Sequence, residues 1–331
     1  MHPVARTFRT SGRVVIFVTT SILVASCITP IVLGFPVTST FAMRRRIDLK
    51  HAGRTRLFQY TQVISDVDDT LKSSGGEKFA GMVTLGGIDV QYSRGDFYPG
   101  VAEFLLYCSL GADGSDTSTV IPPKLAILTA RAEEFKVALE LKANSKVAVA
   151  LAKAGKAAGI SDWGIGPVLY GSVAEWIVQN RKGLRKFTNF ERLLQQDPTG
   201  RLLQYIYVGD TGELDPEAGE TLLREYPELV QAVFLHVVSE QPGPLSETEY
   251  ASTMPPAPRY INGRPMIYFR TYVGAAVQAV RLGFMTMYGL EQVIKAATKK
   301  LEQEGVSETN DPNGKWLDLE RDLQRAYKLL R

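Results

Sequence analysis

Three aspartates lie at the end of a short apolar segment, QVISDVDDT, at residues 62–70. The apolar part is rich in β-branched residues and predicts a buried parallel strand, which would place the acids at the edge of a sheet. In open α/β sheets, ligands bind at that edge, outside the carboxyl ends of the strands. Asp66 and Asp68 are two residues apart, so an extended chain directs both carboxylates to the same side. Two close carboxylates repel each other unless a cation or a shared proton intervenes, and the pattern predicts a hard metal ion.

Three further segments contain residue types that suit phosphate chemistry. KLAILT predicts a second buried strand that ends at Thr129, and Arg131 follows it. The basic cluster RKGLRK contains Lys186. LQYIYV predicts a third strand and runs directly into GDTGELD, which contains Asp210 and Asp215. Taken singly, these features are ordinary: such lysines are usually solvated, and a Gly-Asp pair is often a turn.

A calcium-binding loop is an alternative explanation of the first acidic segment. Counted from Asp66, ligand positions 1, 3, 5 and 12 of such a loop would be Asp66, Asp68, Thr70 and Glu77. Position 6 would then be Leu71, where the loop requires glycine, and a strand rather than a helix precedes the segment. The pattern therefore argues against an EF-hand type of site.

Taken together and in this order, the motifs resemble those of the haloacid dehalogenase superfamily of phosphatases, over about residues 63–215. A closer resemblance, to the catalytic part of the actin-patch phosphatidate phosphatase family, spans roughly residues 64–297. Its motifs here are SDVDDTLKSSGG, RGDFYPGVAEF, GPVLYGS, RKFTNF, GDTGELD, VFLHVV and FRTYVGAAVQA. The usual GD-Asn-Gly-Gln of that family is GD-Thr-Gly-Glu here, a departure that keeps both acids. The β-sandwich domain and proline-rich tails of some relatives are not found, so we expect no identifiable protein partner.

The resemblance implies roles for the residues that match the motifs. Asp66 would be the nucleophile, and Asp68 would protonate the leaving oxygen and later activate water. Mg²⁺ would be bound by Asp66, the main-chain carbonyl of Asp68, and Asp210, with Asp215 orienting the water on the metal or Lys186.

The remaining matched residues would contact the phosphate. Thr129 would hydrogen-bond the phosphoryl oxygens, and Lys186 would neutralise both the nucleophile and the phosphoryl group, Lys182 being the less favoured lysine of the cluster. Thr70 and Arg131 are assigned to substrate binding, with Arg94 as a further candidate.

The composition and the order of elements predict an ordinary globular chain. It has 331 residues, 45% of them hydrophobic, and a net charge of +3. No basic stripe interleaved with aromatic residues is present, so we do not expect nucleic acid as a partner. The two cysteines indicate neither a disulfide framework nor a cysteine metal site, and Cys108 is expected in the core. Histidine 236 lies inside an apolar strand and is expected as a buried structural residue.

Strand and helix patterns alternate along the chain, which predicts an α/β fold with a mainly parallel, Rossmann-like sheet. The glycine-rich segment after Thr70 predicts a small β-flap, and the spacing between motifs leaves no room for a large cap domain. We divide the chain into a targeting segment and basic linker (1–56), a haloacid dehalogenase-like phosphatase core (57–240), and an irregular connection with a helical C-terminal extension (241–331).

Residues 14–37 contain no charged side chain and follow three arginines. Such a segment is a signal peptide, a signal anchor or a membrane-spanning helix. Prolines and a glycine in its second half shorten the helix and favour a cleavable signal. Residues 38–43 also resemble the junction of bipartite plastid signals in algae with complex plastids, and VASC, ending at Cys27, resembles a bacterial lipobox. We expect a protein that is membrane-associated or targeted through the secretory pathway, with the plastid as one destination.

The sequence thus predicts a Mg²⁺-dependent phosphatase that acts on phosphatidate or a related lipid phosphate at a membrane surface. The motifs serve soluble phosphate esters equally well, so a phosphatase for a soluble or protein-borne phosphoester is the alternative within enzymes. A membrane-tethered binding protein without turnover is the alternative outside them. The intact acids and Lys186 argue against that last alternative.

Overall fold

The computed structural model describes residues 60–76, 78–79, 83–84, 88–112, 122–132, 144–171, 182–196, 202–212, 214–238 and 254–331. The predicted targeting segment, residues 1–56, and most of the predicted irregular connection lie outside these residues. Within the described part of the chain, no helix combines the length and the apolar character needed to cross a membrane.

The central feature is a mostly parallel sheet. Its strands are β1 (Tyr60–Ser65), β4 (Leu125–Ala132), β5 (Ile165–Gly171), β6 (Leu202–Asp210), β7 (Val230–His236), β8 (Arg259–Ile261) and β9 (Arg264–Phe269). These seven strands are ordered β5-β4-β1-β6-β7-β9-β8, and every neighbouring pair is parallel except β8 and β9. A separate antiparallel hairpin consists of β2 (Lys78–Phe79) and β3 (Val83–Thr84). The prediction of an α/β fold with a mainly parallel sheet is confirmed, and the strand order is compatible with a Rossmann-like fold.

Helices cover both faces of this sheet. Those in the described part of the chain are α1 (Val101–Leu110), α2 (Lys146–Ala157), α3 (Lys182–Gln196), α4 (Asp215–Glu225), α5 (Tyr272–Arg281), α6 (Met287–Gln303) and α7 (Lys315–Leu330). Adjacent residues of β1 point to opposite faces: Val63 packs in a core with α1, α2, α5, α6 and α7, and Ile64 packs in a second core with α3 and α4. A strand buried on both faces favours adjacent apolar residues, and Val63 and Ile64 are the part of β1 that the sequence shows most clearly.

The C-terminal part of the chain contributes two strands that the sequence analysis did not predict. Strand β9 pairs in parallel with β7, and Phe234 lies opposite Ile267. The sequence predicts a helical C-terminal extension, but Tyr268 belongs to β9, and α5 begins at Tyr272. The turn between β8 and β9 is Asn262-Gly263, with φ of 50° and 77°, which matches the Asn-Gly turn of a two-residue hairpin.

The parallel register brings the carboxyl ends of the central strands to one edge. Ser65 at the end of β1 lies opposite both Ile127 of β4 and Val208 of β6, and Asp210 lies opposite His236 of β7. Segments that follow these strands therefore meet at this edge, where ligands bind in open α/β sheets.

Candidate functional site

Three buried carboxylates converge at this edge of the sheet. Asp66 directly follows β1, Asp210 ends β6, and Asp215 begins α4. One oxygen of each carboxylate lies within 4.8 Å of the others. The backbone amide of Asp66 donates to the carbonyl oxygen of Val208 at 3.0 Å, which continues the β1–β6 hydrogen bonding by one residue and fixes the start of the acidic loop. The site is thus built on sheet backbone rather than on a free loop.

The ammonium group of Lys186 lies among these carboxylates. Lys186 is on α3 and is buried. Its Nζ lies 3.3 Å from Oδ2 of Asp66 and donates a hydrogen bond to Oδ1 of Asp215. Within this group of four side chains, three negative charges face one positive charge. Carboxylates outnumber ammonium groups within this set, which suits a bound cation or the uptake of protons.

The loop from Asp210 to Asp215 is shaped by its own carboxylates. Oδ1 of Asp210 accepts a hydrogen bond from the amide of Gly212 at 2.7 Å, and Oδ2 of Asp215 accepts one from the amide of Asp210 at 3.2 Å. A Cβ atom at position 209 would lie 2.3 Å from Oδ2 of Asp215, so only glycine fits there. Gly209 therefore allows the Asp215 carboxylate to pack against the end of β6.

Two side chains from distant elements hold the backbone of the acidic loop. Nδ1 of His236 lies 2.8 Å from the carbonyl oxygen of Asp69, and Nε2 lies 3.2 Å from that of Arg270. Burial lowers the pKa of His236. The hydroxyl of Tyr272, on α5, donates to the carbonyl oxygen of Thr70 at 2.6 Å. The prediction that His236 is a buried structural residue is confirmed.

Asp68 differs from Asp66 in exposure. Its side chain is 21% exposed, against 4% for Asp66, and Nζ of Lys72 lies 3.7 Å from its Oδ1. Its carboxylate lies outside the buried group of Asp66, Asp210 and Asp215. The two acids predicted from their spacing thus occupy different environments, one enclosed beside an ammonium group and one open to solvent.

The other predicted site residues are placed as follows. Thr70 is fully buried, and its hydroxyl donates to Oδ2 of Asp210 at 3.4 Å. Thr129 is buried on β4, two residues beyond the partner of Ser65 and therefore beside the acidic loop. Arg94 is exposed. The backbone of Arg131 belongs to β4 and that of Lys182 begins α3, but their side chains lie outside the described part of the structure.

Two residues of the site were not found by sequence reasoning. Asp69 lies between the motif residues Asp68 and Thr70. The sequence does not indicate its contacts, because they are with residues 74, 88 and 89, which only the fold brings to it. Tyr272 lies more than 200 positions from the loop that it holds. The motif FRTYVGAAVQA contains Tyr272, but its spacing alone does not indicate this contact.

The donor set of the buried carboxylates fits a hard divalent cation. Carboxylate oxygens are the ligands that Mg²⁺ and Ca²⁺ prefer, and a divalent ion would balance the two excess negative charges of the group. Both oxygens of Asp215 already accept hydrogen bonds, from Lys186 and from the amide of Asp210. Both oxygens of Asp210 also accept hydrogen bonds, from the Gly212 amide and the Thr70 hydroxyl, so all three carboxylates are candidate ligands.

Comparison of the chain with protein-family models, with curated proteins and with solved structures finds no match.

Proposed function

We propose that the protein is a Mg²⁺-dependent phosphatase that works through an aspartyl-phosphate on Asp66, as in the haloacid dehalogenase superfamily. The observation that carries the proposal is the group of three buried carboxylates around the Lys186 ammonium at the carboxyl edge of a parallel sheet. The excess negative charge of this group favours a divalent cation, and the ammonium favours an anion beside Asp66.

Two steps account for phosphate release. An oxygen of Asp66 attacks the phosphorus in line with the ester oxygen; the new O–P bond forms, the ester O–P bond breaks, and Asp68 donates its proton to the leaving oxygen. Asp68 then removes a proton from a water that attacks the same phosphorus, which releases inorganic phosphate and restores the Asp66 carboxylate. The partial exposure of Asp68 supports this assignment, because a group that exchanges protons with water and leaving group needs access to both.

Bound Mg²⁺ would offset the repulsion between the Asp66 carboxylate and the phosphate dianion. We assign Asp66, Asp210 and the main-chain carbonyl of Asp68 as its ligands. Lys186 neutralises the nucleophile and the phosphoryl group, and Asp215 fixes the position of the Lys186 ammonium. Thr129, Thr70 and Arg131 are assigned to the phosphoryl oxygens and the substrate; the contact of Thr70 with Asp210 places it at the same centre.

The substrate that we propose is phosphatidate or a related lipid phosphate monoester. Support comes from the resemblance to the actin-patch phosphatidate phosphatase family and from the apolar N-terminal segment, which we assign to targeting to a membrane or into the secretory pathway. We assign the β2–β3 hairpin as a flap beside the crevice. A small flap leaves room for a bulky ester at a membrane surface, whereas a large cap would close over small substrates.

The experiment that tests this function is phosphate release from a panel of dispersed phosphatidate, lysophosphatidate and soluble phosphate esters. We expect release that needs Mg²⁺, is greatest with a lipid phosphate, and falls by many orders of magnitude in Asp66→Asn. Asp162→Asn serves as the control, because that carboxylate is 84% exposed and pairs only with surface Lys124 in the described structure. Substantial activity in Asp66→Asn would contradict the mechanism, and release from soluble esters alone would contradict the lipid substrate.

A further inference from the structure

The side chain of Asp69 accepts four hydrogen bonds from both ends of the segment that contains the β2–β3 hairpin. Oδ1 accepts from the amide of Ser74 at 2.7 Å. Oδ2 accepts from the Ser74 hydroxyl at 3.1 Å, from the Ile88 amide at 2.6 Å and from the Asp89 amide at 3.0 Å. Ser74 enters the hairpin and Ile88 leaves it, so one fully buried carboxylate joins the two ends.

The backbone of Asp69 also makes hydrogen bonds, and these fix it within the acidic loop. Its amide donates to the carbonyl oxygen of Lys72 at 2.8 Å, and its carbonyl oxygen lies against His236. Its φ is 55°, in the left-handed region that aspartate and asparagine tolerate better than most residues. Asp69 immediately follows Asp68, so any shift of its backbone moves the adjacent acid.

The two ends of the segment pass close to each other and to the Asp210 loop. A Cβ atom at Gly76 would lie 2.3 Å from a methyl carbon of Val90, so the crossing requires glycine there. A Cβ atom at Gly212 would lie 2.7 Å from a side-chain carbon of Ile88, so Ile88 packs against the Asp210–Asp215 loop. Residues 73–76 and 88–94, which we call the neck, therefore lie between the two acidic motifs.

We propose that Asp69 is a positioning residue that couples the β2–β3 hairpin to the nucleophile loop. Its carboxylate holds the neck in register with Asp66 and Asp68, so that the position of the two acids depends on the four hydrogen bonds to the neck. This inference rests on the proposed phosphatase function for its catalytic part. The anchoring of the neck does not depend on that function.

The variant Asp69→Asn replaces the carboxylate by an amide and so tests the hydrogen bonds that the carboxylate accepts. Asparagine has nearly the same volume and accepts the left-handed backbone, so fold and local conformation are retained. Its amide group must face either the Ser74 amide or the amides of Ile88 and Asp89, which places a donor against donors. Ser73→Ala is the matched control, because the Ser73 hydroxyl bonds within the neck, to the carbonyl oxygens of Asp89 and Tyr92, and not to the nucleophile loop.

The test combines hydrogen–deuterium exchange of peptides from residues 72–95 with steady-state kinetics on dispersed phosphatidate, using the full chain. In Asp69→Asn we expect faster exchange in these peptides, a kcat lower by roughly 10- to 100-fold, and a KM within about threefold of wild type. With Mg²⁺ and beryllium fluoride, the wild-type peptides should become protected, and those of Asp69→Asn should not. Ser73→Ala should retain most of the kcat and the protection.

Unchanged exchange in Asp69→Asn would overturn the anchor, and faster exchange with an unchanged kcat would overturn its positioning role. If Asp69→Asn does not fold, Ser74→Ala replaces it. That variant removes the hydroxyl bond to Asp69 at 3.1 Å and the bond accepted from the Gly76 amide at 3.3 Å, and it should give intermediate changes in exchange and kcat. Wild-type values would overturn the inference. If the wild type neither releases phosphate nor binds beryllium fluoride, the proposed function fails. Hydrogen–deuterium exchange of wild type and Asp69→Asn without Mg²⁺ still tests whether Asp69 anchors the neck.

Discussion

Lys186 is the positive charge among three buried carboxylates. Its distance of 3.3 Å from Asp66 and its hydrogen bond to Asp215 put the ammonium beside the carboxylate that we propose as the nucleophile. An ammonium that is already fixed when the substrate arrives needs no reorganisation during phosphoryl transfer. The hydrogen bond to Asp215 holds the Lys186 ammonium in place, and the amide of Asp210 holds the Asp215 carboxylate.

The two lysines of the α3 start should differ strongly when replaced. Lys186→Met removes the ammonium beside Asp66, and we expect kcat/KM to fall by roughly 10²- to 10³-fold. Lys182→Met, four residues earlier on the same helix, should stay within about threefold of wild type, since the motif match assigns the phosphate contact to Lys186. Phosphate release is measured for both purified variants at saturating Mg²⁺ and shows which lysine the activity requires. The reverse ranking would show that the basic cluster is assigned to the wrong lysine.

The resemblance to a family implied that Asp66, Asp210, Asp215 and Lys186 are neighbours. Sheet geometry alone supports this only for Asp66 and Asp210, which lie at the carboxyl ends of parallel strands. The role of Asp69 could not be predicted, since its four hydrogen bonds depend on how residues 74, 88 and 89 return to the loop. The sequence also could not separate the burial of Asp66 from the exposure of Asp68.

At the scale of elements, strands that are buried on both faces were the easiest to predict. Strands β1, β4, β6 and β7 each contain a short apolar run, whereas β9 begins with Arg264-Pro265 and pairs with β7 along its length. The Asn262-Gly263 turn was the available signal for the β8–β9 hairpin. The segment that precedes and includes β8 is rich in proline, serine and threonine, a composition that predicts an irregular connection.

Truncation of the chain tests how far the C-terminal elements belong to the core. A fragment of residues 57–240 lacks β9 and α5–α7, which exposes fully buried Phe234 and removes the Tyr272 hydrogen bond to the acidic loop. We expect this fragment to show no cooperative thermal transition by circular dichroism, because the lost packing exceeds the margin of stability of most domains. The fragment 57–331 is the control and should unfold cooperatively. A cooperative transition in the shorter fragment would contradict this view.

At the scale of the whole molecule, the candidate site exists only in the folded chain. Its parts come from β1, β6, α3, α4 and α5, and the Thr70–Asp210 contact joins residues 140 positions apart. A cation that binds the assembled carboxylates and not the unfolded chain stabilises the fold, so loss of the metal and loss of the fold should be linked.

The central claim, a phosphoryl group carried by Asp66, is tested most directly by trapping it. Full-length protein is mixed with Mg²⁺ and dispersed phosphatidate, quenched in acid within milliseconds, and reduced with borohydride, which converts an aspartyl-phosphate to homoserine. Peptide mass spectrometry then locates the reduced residue. We predict homoserine at position 66, only when Mg²⁺ and substrate are both present. Phosphate release without modification at position 66, or with the modification at another aspartate, would contradict the account.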